Sequence, residues 1–149
     1  MAFSFRLQSL LNYRRSLEDL AQIRLTEQLQ ALALQEDRIG HLTRLREDCQ
    51  QAFQQKTGEP APVKELVFYL DFQDRSYEQL SRLEEGREKI LSEVQRERDR
   101  LIVLTKDRKI LEKLKERQEK EFLRDLDRKE RKQIEDLVVQ RYAGSKKGA

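Results

Sequence analysis

Residues 80–122 read LSRLEEGREKILSEVQRERDRLIVLTKDRKILEKLKERQEKEF, and a seven-residue repeat runs through them without a break in register. One series is Leu80, Arg87, Val94, Leu101, Arg108, Lys115 and Phe122, and the other is Leu83, Ile90, Glu97, Leu104, Leu111 and Gln118. Apolar residues hold most of these positions, and no proline falls in the run. Such spacing keeps a narrow stripe on one face of an α-helix and supports left-handed supercoiling against another helix. A narrow stripe cannot wall in a substrate. The pattern therefore points to a rod that binds other proteins.

Composition agrees with a rod. Of 149 residues, 40% are Asp, Glu, Lys or Arg, against roughly 25% in globular proteins. Good helix formers dominate, with five Gly and two Pro as the only breakers. High charge alone would suit disorder, but sustained periodicity argues for helices with a thin, partner-dependent core. The 31 basic and 28 acidic residues are interspersed, leaving a net charge of +3. Mixed signs read as a solvated helical surface, whereas a nucleic-acid stripe wants basic residues segregated on one face. No apolar run approaches the roughly 20 residues of a membrane span. The opening residues lack a signal-peptide core, so a cytoplasmic location is expected. One Cys and one His exclude an internal disulfide and a zinc site. Cys49 suits a helix-packing position.

Two helical segments flank one punctuated stretch. The first spans about 7–56, with Leu7, Leu10, Leu17, Ala21, Leu25, Leu29, Leu32, Ile39, Leu42, Leu45, Cys49 and Ala52 as its apolar positions. Read on these residues, its stripe slips after Ala21 and again near Gly40. Thr57, Gly58, Glu59, Pro60, Ala61 and Pro62 form the strongest breaker cluster and predict a turn at 57–62. The second helix spans about 63–142, and a polar tail at 143–149 is expected to be disordered. Together these predict an all-α fold: a long antiparallel two-helix coiled-coil hairpin, a single domain over 1–142, with the second helix longer.

Catalytic constellations are missing from the pattern. His41 and Cys49 match no nucleophile–base arrangement. Glu84 with Glu85, and Asp125 with Asp127, point in different directions on a helix. The scattered glycines form no phosphate loop, and no cofactor is expected.

Three places carry more than a seam needs. Val67, Phe68, Tyr69, Leu70 and Phe72 crowd one segment, with Phe68 and Phe72 sharing a face. They read either as a docking patch or as packing against the first helix. At the start, Phe3, Leu7, Leu10, Leu17 and Ala21 suit a seam, leaving Phe5 and Leu11 over for a partner. Arg87, Arg108 and Lys115 place charges in the stripe, which weakens a seam and can specify its register. The seam is expected to be weakest from Arg108 onward.

The opening Phe3-Ser4-Phe5-Arg6-Leu7 and Leu10-Leu11, followed by Arg14, Glu18, Ala21 and Leu25, resembles the FliJ family of the bacterial flagellar export apparatus. So do Glu112-Lys113-Leu114-Lys115-Glu116-Arg117-Gln118 and Arg128-Lys129-Glu130-Arg131-Lys132 through Ile134, Glu135, Asp136 and Arg141. Glu135-Asp136 inverts the family's Asp-Glu order. The resemblance implies a non-catalytic, stalk-like hairpin whose end with both termini sits in the pore of the hexameric export ATPase. It also implies contacts with the export gate membrane protein and with export chaperones, and a peripheral association with the inner-membrane apparatus. Carried over, the ATPase-facing residues are Leu7, Leu10, Leu11, Arg14, Glu18, Ala21, Phe122, Arg128, Lys132 and Leu137. Phe68, Tyr69 and Phe72 fall near the gate-contacting surface.

Two rival readings belong to other classes. A generic structural coiled-coil homodimer would use the same stripe, but the 57–62 break favours folding back. A basic-helix nucleic-acid binder wants an uninterrupted basic region, and here acids interrupt it.

Overall fold

A computed structural model describes residues 2–56 and 62–147. Two helices account for nearly all of them, α1 (Gln8–Gln55) and α2 (Val63–Lys147), and the second is the longer. No strand occurs among the described residues. Before α1 the chain is not helical. The Phe5 carbonyl accepts the Gln8 N–H at 3.1 Å, which starts the first turn. At its other end the Lys56 N–H reaches the Phe53 carbonyl at 3.2 Å, tightening the last turn in the 3₁₀ manner. The expected turn at 57–62 lies outside the described residues except for Pro62. That proline sits just before α2, and its carbonyl accepts from Glu65 and Leu66 at 2.9 and 3.3 Å. Glu65 in the first turn complements the positive end of the helix dipole.

The helices contact one another within two compact units. In the unit Asp19–Ile102, Gln35 meets Leu83, Arg46 meets Gln73 and Phe53 stacks on Tyr69, so the partners run antiparallel. In the other, formed by residues up to Glu18 and from Val103 onward, Phe3 meets Phe122 and Glu18 meets Arg108, again antiparallel. The fold is thus an antiparallel two-helix hairpin.

Every position of the 80–122 heptad series is buried or half-buried. The pattern also continues upstream through Ser76, Gln73 and Tyr69, where two polar residues conceal it in the sequence.

Three expectations change. First, α1 keeps one register from end to end. A continuous series of covered positions runs through Leu11, Arg14, Glu18, Ala21, Leu25, Gln28, Leu32, Gln35, Ile39, Leu42, Arg46, Cys49 and Phe53, spaced alternately by three and four, with Gln8, Leu17, Ala31, Gly40 and Thr43 half-buried outside it. No slip occurs after Ala21 or at Gly40. Polar residues hold several seam positions, while Leu29 and Leu45 are exposed. Second, Phe5 and Leu11 are core, and Leu7 and Leu10 are exposed. The helix begins only at Gln8, so Phe5 and Leu7 do not follow the helical phase assumed for them. Third, α2 ends at Lys147 rather than near Tyr142, and the last residues of the expected tail, 148–149, lie outside the described residues.

Candidate functional site

The seam ends before α2 does. Leu126 is the last half-buried residue, and residues 127–146 are all exposed. Along this free stretch Ile134, Leu137, Val138, Val139 and Tyr142 present apolar side chains to solvent. Ile134, Val138 and Tyr142 recur at a spacing of four and share a face with Leu137 close by. Arg128 and Lys132 lie a turn or more ahead of them and are likewise exposed. An intramolecular seam cannot explain these apolar residues, because no part of α1 covers them. An exposed apolar face of this kind is a candidate for contact with another protein.

The ATPase-facing residues expected from the sequence divide into two groups. Leu7, Leu10, Arg128, Lys132 and Leu137 are exposed. Leu11 is fully buried at 0% exposure, and Glu18 is 8% exposed. These two, with half-buried Arg14 and Phe122, build the hairpin rather than its outer surface. The Phe122 ring lies 5.7 Å from that of Phe3. Ala21 is buried too, and it belongs to the unit Asp19–Ile102.

Around Glu18 the charges in the seam are satisfied. The Glu18 carboxylate accepts from Arg108 Nε and, at 3.3 Å, from the Thr105 hydroxyl. Arg108 Nη1 also donates to Glu112 at 2.8 Å, and Arg15 reaches Glu112 at 3.3 Å. Arg14 pairs with Asp107 at 3.3 Å. The bonds to Glu18 and Glu112 raise the pKa of Arg108 above its ordinary value, against some burial. The Arg108 bond lowers the Glu112 pKa, opposed by partial burial and assisted by Arg15. A buried ion pair of this kind fixes a register more than it adds stability. Arg108 is therefore a paired layer of the seam rather than an uncompensated charge in it.

The three residues expected to face the export gate behave differently from one another. Tyr69 stacks on Phe53, with ring centroids 4.2 Å apart and planes 7° apart. Phe72 is half-buried, and Phe68 is 81% exposed. Packing and an open surface therefore coexist in this segment. Val63, Val67 and Leu70 add further exposed apolar area. Nearby, Arg46 donates to Gln73 at 3.1 Å and lies over the Tyr77 ring at 5.6 Å.

Sequence reading missed the exposed Val138, Val139 and Tyr142, which its expected sites did not include. The available signal was the spacing of four from Ile134, combined with the shorter first helix.

Among the described residues no cluster of His, Cys, Asp and Glu could hold a metal ion. No described helix is long and apolar enough to cross a membrane. The family model described as Flagellar FliJ protein matches residues 3–147. No curated protein and no solved structure matches the chain.

Proposed function

The chain belongs to the flagellar FliJ protein family and is a component of the flagellar export apparatus; from this premise we propose that it serves as a stalk-like subunit of the export ATPase ring. It acts without catalysis of its own. The observation that carries this reading is the free end of α2, where Leu137 and its apolar neighbours are exposed and no other described residue covers them. Leu7, Leu10, Leu137, Arg128 and Lys132 make the contacts with the ring. Leu11, Arg14, Glu18 and Phe122 hold the surrounding hairpin in place, and Ala21 packs within the unit Asp19–Ile102.

The physical mechanism is differential binding. A stiff helical element in a ring's pore makes unequal contacts with subunits in different conformations. It shifts their populations only by the difference in those contacts. Phe68, Tyr69 and Phe72 face the export gate, and export chaperones are further partners. The work is done in the cytoplasm beside the inner-membrane apparatus.

The test compares ATPase rate and hexamer assembly with and without the protein. Full-length protein raises both, and a Leu137→Asp, Val138→Asp variant with unchanged helix content loses most of the effect. No change in rate or assembly with the unaltered protein would sink the stalk role.

A further inference from the structure

Beside the Phe53–Tyr69 stack lies a cavity of about 510 Å³. Ala52, Phe53 and Phe72 supply its apolar lining, and the exposed Phe68 forms part of its wall. Among the described residues that line it, Lys56 and Lys64 stand with one acid, Glu65. All three charged residues are exposed, and neither lysine has an ion pair among the described residues.

The groove therefore joins two demands. Its aromatic walls gain by covering an apolar side chain. The ammonium groups of Lys56 and Lys64 favour negative charge beside that side chain. A second copy of this groove is a poor occupant, since it would bring lysines against lysines at the same surface.

We propose that the groove seats an aromatic or leucine anchor from a partner segment that carries carboxylates on both sides of the anchor. The gate-facing reading of Phe68, Tyr69 and Phe72 supplies the partner's identity, and the proposal rests on that reading for the identity alone. The apolar anchor gives most of the affinity. The flanking acids select among partners and speed encounter.

Cys49 also lines the groove, and it is the chain's single cysteine, so alkylation reports on this place alone. The experiment titrates the full chain with two synthetic peptides. One carries Phe flanked on each side by Glu, and the other carries the same Phe flanked by Lys. Binding is followed by fluorescence anisotropy and by the rate of Cys49 alkylation with a maleimide. The Glu peptide is expected to bind about tenfold tighter than the Lys peptide and to slow alkylation. The double variant Lys56→Glu, Lys64→Glu should reverse the preference while keeping the helical signal of the parent.

Equal affinity for the two peptides, or a preference unmoved by the charge reversal, overturns the proposal. A soluble fragment of the gate protein separates it from the gate reading. Gate binding that needs Phe68 but ignores both lysines leaves the gate reading standing and overturns the acidic flanks. Glu-peptide binding as expected, with gate binding indifferent to Phe68→Ala, upholds the groove chemistry and removes its assignment to the gate.

Discussion

The two units use the same heptad geometry with different polar layers. Near Glu18 the seam is ionic: Arg108 bridges Glu18 and Glu112, with Arg15 and Thr105 completing the set. In the unit Asp19–Ile102 one seam position is also ionic, Arg87 to Glu36 at 3.3 Å, but other layers hold amides and aromatic rings. Gln35 donates to the Leu83 carbonyl at 2.8 Å, Arg46 to the Gln73 amide oxygen, and Phe53 stacks on Tyr69. The ionic layers depend on protonation and ionic strength, and the amide and aromatic layers largely do not. Apolar burial provides the common background, and the polar layers decide what each region responds to.

The strongest way to break this comparison is to remove the shared background. Leu11→Ala deletes a fully buried side chain and should destabilise the protein by about 3 kcal/mol. Thermal unfolding followed by circular dichroism measures it. A cost under about 1 kcal/mol would mean that the unit collapses around the void.

The aromatic layer comes next. A double-mutant cycle on Phe53→Ala and Tyr69→Ala should give a coupling of about 0.5–1.5 kcal/mol. Denaturant titration of the four proteins yields the value. Zero coupling would leave the stack with no role beyond burial.

Acid sharpens the contrast. The Glu112 pKa is lowered in the folded state, so its contribution is complete above the ordinary value of 4.5. That contribution disappears as pH falls through the lower folded value. Amide hydrogen exchange should speed up around Glu112 in acid more than around Gln35, after correction for intrinsic rates. Glu112→Gln should abolish the difference, and equal acceleration in both regions would contradict it.

The smallest effect comes from a pair of glycines inside the helices. A Cβ at Gly40 meets nothing nearer than Arg44 at 4.0 Å, so Gly40→Ala should stabilise by up to about 1 kcal/mol. At Gly86 a Cβ would lie 2.8 Å from Gln35 Nε2, the donor to Leu83. There the propensity gain is offset by a strained or lost hydrogen bond of about 1 kcal/mol, and Gly86→Ala should be nearly neutral. Equal stabilisation at both sites would show that the Gln35 layer contributes little.

Much of α2 is legible from sequence because Leu80, Leu83, Ile90, Val94, Leu101, Leu104 and Leu111 mark the seam directly. The register of α1 is concealed for two physical reasons. Arg14, Glu18, Gln28, Gln35 and Arg46 occupy seam positions, where their long stems or paired heads tolerate cover. Leu20, Leu29, Leu34 and Leu45 are exposed, so a leucine count overstates the stripe. The candidate site is concealed too. Leu7 and Leu10 read as seam positions with Phe5 and Leu11 as the surplus, the reverse of the observed burial, and Leu137 enters only through the family resemblance. Leu11 is distinguishable from Leu7 and Leu10 only once the start of α1 at Gln8 sets its phase.

The hydrogen bonds between the helices also order the folding reaction. Arg46 and Gln73 are 27 residues apart, Gln35 and Leu83 are 48 apart, and Arg14 and Asp107 are 93 apart. Each doubling of a closed loop adds about 0.6 kcal/mol of entropic cost, so the Phe53–Tyr69 neighbourhood is the least costly place to nucleate. Pairing should zip from there toward residues of growing separation. Substitutions at Phe53 should then slow refolding, whereas those at Leu11 should chiefly accelerate unfolding.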